Sequence, residues 1–332
     1  PQSLERDLGR YQDWLAAARD GDTVIAAELQ RLDRWGAEAI ERWYGPRDRP
    51  ETFAPILARA WDRDETVVRE LAQLARAPAN ATIVRASALA ALQTFPDETR
   101  LKVSLEALGD TEPMVVATAL SGIRDGIRER IVRIDEPGGF DPLAQLVEPV
   151  KPLLVHPSRW VRNEAALCIA ALGAARGRLL DKQERLEFGA ALLALRNSFG
   201  LQADHASSHL SLGLLEEDLG NIDAAIAAYR EGIRVEPNAV GPRSNLANLL
   251  EQRAEAVAER TAQAVAAAMR QPGGIDGPGR EAIAEARRSE QQLRSEIAKL
   301  RVEELPLLEI DVRLAPDFAP LQYRYGMLLY MN

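Results

Sequence analysis

Apolar residues recur at three- and four-residue spacing along the chain, the period of a helix with one covered face. The first stretch runs from Leu4 to Arg19 with Leu8, Tyr11 and Leu15 in phase. A second carries Val24, Leu29, Leu32, Trp35, Ile40 and Trp43. Asp20-Gly21-Asp22 forms the turn between them, Asp22 or Thr23 caps the second helix, and Gly45-Pro46 stops it. From 50 to 200, short polar turns with Asp or Pro lead into Val-Arg-x-x-Ala-like helices. The copies are Asp64-Glu-Thr-Val-Val-Arg-Glu-Leu-Ala72, Ala81-Thr-Ile-Val-Arg-Ala-Ser-Ala-Leu89, Asp110-Thr-Glu-Pro-Met-Val-Val-Ala-Thr-Ala119 and His156-Pro-Ser-Arg-Trp-Val-Arg-Asn-Glu-Ala-Ala166. Glu136-Pro-Gly-Gly139 marks a loop or insertion among them. The expected fold class is all-α.

The four copies resemble HEAT repeats, irregularly spaced and with no Arg after Val116. In that family the Val and Ala positions face the core, the Asp caps a helix and the Arg supports the neighbouring turn. Residues 206–239 resemble a tetratricopeptide repeat, through His209, Leu212-Gly213, Ala225, Tyr229, Gly232 and Pro237. Small residues at 213, 225 and 232 let two helices approach closely, Leu212 and Tyr229 fill the space between them, and Gly220-Asn221 makes the turn. A second unit begins at Val240 and matches through Asn245-Leu-Ala-Asn-Leu-Leu250. Its second half returns only at Glu304–Pro316, and a third unit starts at Ala319 with Tyr323, Tyr325-Gly326 and Leu329. The architecture implied is an α-solenoid with three segments: 1–49 an N-terminal helical segment, 50–200 HEAT-like repeats, 201–332 tetratricopeptide repeats.

The interruption at 251–303 is rich in Ala, Glu, Gln and Arg and breaks at Gln271-Pro-Gly-Gly-Ile-Asp-Gly-Pro-Gly279. Ala254, Val257, Thr261, Val265 and Ala268 are expected to face Ile283, Ala286, Leu293, Ile297 and Leu300. That pairing makes an antiparallel helical hairpin, with about 25 residues per arm projecting roughly 35–40 Å. It reads as a docking arm.

Composition narrows the function. Of 332 residues, 46% are hydrophobic but only 5% aromatic, which suits Ala- and Leu-rich helix packing. The formal net charge is −9 with no basic block, a poor match to nucleic acid. No apolar run reaches a membrane span. Cys168 is the single cysteine, so an internal disulfide and haem attachment are both excluded; its setting in Glu164–Leu172 is that of a small buried hydrophobe. His205 and His209, four apart, are the weak metal candidates, with Asp204 nearby, but His209 falls on a packing position of the repeat. His156, at a turn before Pro157, reads as a cap. No nucleophile–base grouping or phosphate loop is legible. The expectation is no enzyme and no cofactor. The first helices of the repeat units should line a groove for a protein segment, through Leu210, Leu214, Glu217, Ser244, Asn245, Asn248, Tyr323 and Met327. Leu210 and Leu214 replace the cations that a terminal-carboxylate clamp would need.

The order Arg34-Trp-Gly-Ala-Glu-Ala-Ile-Glu-Arg-Trp-Tyr-Gly-Pro46, HEAT-like helices, Ala203-Asp-His-Ala206 and a tetratricopeptide run resembles the C-terminal region of bacterial multihaem c-type cytochromes. In those proteins a helix ending in Trp-Tyr-Gly-Pro follows the last haem motif, and Trp35, Trp43, Tyr44, Gly45 and Pro46 match it. The resemblance implies a periplasmic or extracellular setting and a multihaem partner. Pro1 and the apolar end at Leu321–Met331 suggest a piece of a longer protein. The expected role is a non-catalytic scaffold in an electron-transfer assembly. The alternatives are the non-haem support of a longer redox enzyme and a general adaptor for envelope assembly.

Overall fold

A computed structural model of the chain describes residues 13–44, 53–95, 98–131, 140–173, 176–270, 277–316 and 319–331, and among these described residues helix is the only regular structure. Two compact units are present, 1–52 and 53–332. In the first, α1 (13–19) turns into α2 (Thr23–Tyr44) through Gly21, whose φ of +98° suits a residue without Cβ. The cap of α2 is Asp22, whose Oδ1 accepts from the amides of Val24 and Ile25 at 3.0 and 3.1 Å. Leu29 is buried, but Val24 and Trp35 of the expected stripe are 77% and 68% exposed. The covered face runs instead through Ile25, Leu29 and Gly36. The expected Leu8, Tyr11 and Gly45-Pro46 signals lie outside the described residues, as do the Ile40, Trp43 and Tyr44 side chains.

The second unit begins with α3 (Ala54–Trp61), the 3-10 turn η1 (Glu65–Val67), α4 (Val68–Arg76), α5 (Thr82–Leu92), α6 (Glu98–Ala107), α7 (Pro113–Ile131) and α8 (Phe140–Val147). It continues through the 3-10 turn η2 (Lys151–Val155), α9 (Arg159–Ala170), α10 (Arg176–Leu179) and α11 (Lys182–Gly200). The turn residues of 50–200 are held by side chains. Asp64 accepts from the Thr66 amide and from Arg59 Nε at 2.9 and 2.8 Å. The Thr66 hydroxyl and the Arg59 guanidinium hold its carboxyl down at about 2. Arg85, on α5, pairs with Asp110 in the turn between α6 and α7, and Asp110 in turn accepts from the Glu112 amide at 2.9 Å. His156 Nδ1 accepts from the Ser158 amide, so this histidine caps, while Arg162 donates to the carbonyls of His156 and Pro157 at 2.7 and 2.8 Å. Val67, Val84, Val116 and Val161 are buried, and Cys168 is fully buried, donating to the Leu120 carbonyl at 3.0 Å. Desolvation pushes its thiol far up, which leaves it protonated and unreactive. The loop expected at 136–139 lies outside the described residues.

One core runs from Ala60 to Leu215, through Leu89, Ile123, Ile169 and Phe188. It therefore continues past residue 200 into α12 (Ala206–Leu219). Arg176 stitches this passage, donating to the carbonyls of Ala170, Asp218 and Leu219. Arg128 adds an ion pair to Asp218 at 2.7 Å. Gly220, at φ +80°, ends α12 in the left-handed conformation that lets α13 (Ile222–Val235) fold straight back. Where α12 and α13 cross, the Tyr229 ring lies against Gly213 so closely that a Cβ there would sit 2.2 Å from it.

Next come α14 (Val240–Met269), α15 (Gly277–Leu314) and α16 (Ala319–Met331). α14 and α15 pack along each other, and every residue of the two stripes named from the sequence is buried or half-buried. The stripe on α15 runs 283, 286, 290, 293, 297, 300, alternating steps of three and four, the seam of a two-helix coiled coil. Ala254, Ile297 and Leu300 belong to one core with Ala225, Tyr229 and Leu250. So the ends of the 251–303 segment are built into the helical body, and the part that leaves it begins beyond Ala254.

Candidate partner-binding cleft

A carboxylate at a core position organises this end of the molecule. The apolar seam of α15 continues through Leu293, Ile297 and Leu300 to Glu304 and then Leu308. Glu304 is 1% exposed. Burying an unpaired charge there would cost several kcal/mol, so partners are required. The Ser244 hydroxyl on α14 donates to it, and Arg324 on α16 donates through Nε at 3.0 Å and Nη2 at 2.8 Å. Three helices thus meet on one side chain. Behind it, Arg243 donates to the Ala239 carbonyl and lies 3.5 Å from Glu303. Arg301 pairs with Glu251 across α14 and α15.

Above this carboxylate lies a cleft of about 360 Å³ between α14, α15 and α16. Asn248 and Ala247 form one wall; Arg301, Glu304 and Arg324 form the floor; Tyr323, Met327 and Leu328 form the other wall. Asn248 is exposed, Tyr323 is 72% exposed and Met327 is 40% exposed. A primary amide offers both a donor and an acceptor, matching the two groups of a peptide unit. The phenol ring and thioether supply an adaptable apolar surface beside it.

Of the eight residues named from the sequence, the fold brings Asn248, Tyr323 and Met327 together here. The other five lie elsewhere. Ser244 is a correction: it is fully buried, because Glu304 needs its hydroxyl, and it lines no surface. Leu210 is half-buried against the core of Ala225 and Leu250, close over Gly241. Leu214 is partly exposed on α12. Glu217 accepts from the hydroxyl of the buried Tyr229, and Asn245 lies near that hydroxyl. Desolvation raises the Glu217 carboxyl above the usual range, against the lowering effect of that hydrogen bond. Desolvation and Glu217 together push the Tyr229 phenol up, so it stays protonated.

The residues the sequence reading missed are Arg301, Glu304 and Arg324. One signal was present: a glutamate on the heptad seam between Leu300 and Leu308. The histidines occupy separate roles. His205 precedes α12, with Asp204 and Glu236 at 3.9 and 3.6 Å, while His209 Nε2 meets the Ala203 carbonyl at 2.9 Å. Among the described residues, no three or more of His, Cys, Asp and Glu are grouped to hold a metal ion. Among them, too, no helix is long and apolar enough to cross a membrane. No known family model matches the chain, and no curated protein matches it significantly.

Proposed function

We propose that the chain is a non-catalytic helical-repeat scaffold that holds a protein segment in the cleft of Asn248, Tyr323 and Met327. The observation that carries this reading is the cleft itself, an exposed amide across from the apolar surface of Tyr323, Met327 and Leu328, beside paired charges. Such a surface suits peptide recognition. The α14–α15 arm rises from the same helices and serves as a second contact. By resemblance to multihaem c-type cytochromes, the partner is a cytochrome in the bacterial envelope, periplasmic or extracellular, and the scaffold orients it for electron transfer. Exposed Trp35 favours a second reading, the non-haem support of a longer cytochrome, because it leaves an indole for a haem-bearing segment to pack on.

Immobilised full chain, washed with a periplasmic extract, should retain protein with haem absorbance. The Asn248→Ala, Tyr323→Ala double variant should lose most of it. Retention of no haem-bearing protein would remove the cytochrome from the reading; equal retention by the variant would remove the cleft.

A further inference from the structure

α11 carries two apolar faces, and the fold uses one of them. Phe188, Ala191 and Leu195 are buried in the core that runs on into α12. On the outer side Leu186 and Leu193 are 63% and 61% exposed, and Gly189 and Ala190 between them are exposed as well. The helix packs among η2, α9 and α12 inside the unit, so this is not the open side of a last helix. A glycine inside a helix weakens it, and no other described residue uses the room that this one leaves. A Cβ at Gly189 would meet no atom of the described residues within 4 Å outside its own turn of helix. Beside these residues, η2 and α11 form a cleft of about 380 Å³ edged by Leu154, Val155, Leu186, Ala190 and Ala194.

We propose that this face joins two copies of the chain, α11 crossing α11 about a two-fold axis that passes between Gly189 and Ala190. Positions i, i+3, i+4 and i+7 form a diamond on a helix surface, and helices crossing at about 50° press such diamonds together. Here the diamond is Leu186, Gly189, Ala190 and Leu193. A half-turn exchanges its two leucines and its two small residues, so the face is complementary to itself, as a two-fold contact requires. The small pair lets the helix axes approach. Leu193 of one copy then falls over Leu186 of the other, at the edge of the cleft, and fills it beside Val155. The same rotation sets Lys182 opposite Asn197 and Arg185 opposite Ala194, so like charges on α11 do not meet. An unrelated helix would require no such symmetry in the face that receives it. The contact is separate from the peptide cleft, and the inference stands without that reading.

The test is sedimentation equilibrium of the full chain, at about 0.15 M salt so that repulsion between copies of net charge −9 is screened. A reversible monomer–dimer equilibrium with a Kd below about 100 µM is expected. Leu186→Lys and Leu193→Glu should each raise that Kd about tenfold or more. Both side chains are exposed in the single copy, so each variant should keep its helical circular dichroism. Combined in one chain, the two substitutions set opposite charges across the axis twice, and the Kd should fall below that of either single variant. Leu201→Lys, at an exposed leucine about 17 Å along the helix from the axis, should leave the Kd unchanged. A chain that stays monomeric up to about 0.5 mM overturns the inference and leaves the face to another occupant. So does a dimer indifferent to both single variants, a double variant no tighter than the singles, or an equal loss with Leu201→Lys.

Discussion

Close approach of two helices is decided at single positions, and Gly213 is the sharpest. Its missing Cβ admits a ring whose hydroxyl donates to Glu217. Gly213→Ala should therefore destabilise by about 1–3 kcal/mol through forced displacement of Tyr229, despite the better helix propensity of alanine. Gly326→Ala, chemically identical, should be neutral or stabilising by up to about 1 kcal/mol, because a Cβ there would meet no atom of the described residues within 4 Å outside its own turn of helix. Urea titrations of the two variants check the pair. Adjacent carboxylates show the same local control over charge. Burial opposes ionisation of Glu216, but hydrogen bonds from Arg196 at 2.7 and 2.9 Å and from Asn221 at 2.7 Å outweigh it and lower its pKa. A lowered folded pKa adds stability above the unfolded value of 4.5, and that stability is lost as pH falls through the folded one. Arg196→Gln should thus reduce stability at neutral pH and flatten its decline below pH 4.5, measured as thermal midpoint against pH. Glu217, one residue on, is raised, so its protonated form is favoured in the fold. Glu217→Gln keeps an acceptor for the Tyr229 hydroxyl and should stabilise by about 1 kcal/mol at neutral pH, a gain that fades on acidification.

A long helix distributes its stability unevenly, and the α14–α15 pair is graded along its length. Near the body the seam holds Ala254, Ile297 and Leu300, all buried. Farther out it holds Thr261, Val265, Ala268, Ile283 and Ala286, only half-buried. Leu300→Ala should cost about 2–4 kcal/mol globally, whereas Ala286→Gly should cost about 1 kcal/mol, confined to the arm. Amide hydrogen exchange should show protection falling steadily from 254 to 268. The arm was legible in the sequence because heptad spacing is a local signal. Its junction with the body was less so. Glu304 looks like any surface glutamate until the fold delivers Ser244 from 60 residues away and Arg324 from 20 residues away. For the same reason Ser244 looked like a groove residue: a repeat pattern assigns a face to each position but not the long-range partner that turns a hydroxyl inward.

Across the whole second unit, the open question for a chain of mixed helical patterns is whether it unfolds in pieces. The shared core and the Arg176 stitch argue for cooperation between 53–200 and 206–331. Arg176 carries its charge into a partly desolvated site, which lowers its pKa, and its guanidinium lies 5.9 Å from the centre of the Phe188 ring. Arg176→Met would strand three carbonyls and should cost about 1–3 kcal/mol, splitting a single calorimetric transition into two. Turn chemistry and apolar period sufficed to read the helices on both sides of this passage. The passage itself depends on an arginine reaching carbonyls 42 and 43 residues away, which no local pattern encodes. The shared Glu304 carboxylate has a mechanical consequence. Because it ties α16 to α15, and α15 runs unbroken to the outer end of the arm, force applied at the cleft is transmitted along a lever. A tilt of about 5° at Glu304 would sweep the outer end of α15, about 40 Å away, by about 3.5 Å, enough to make or break a hydrogen bond. A load on α16 would thus register at the far end of the arm as displacement, with that one carboxylate as the coupling pin.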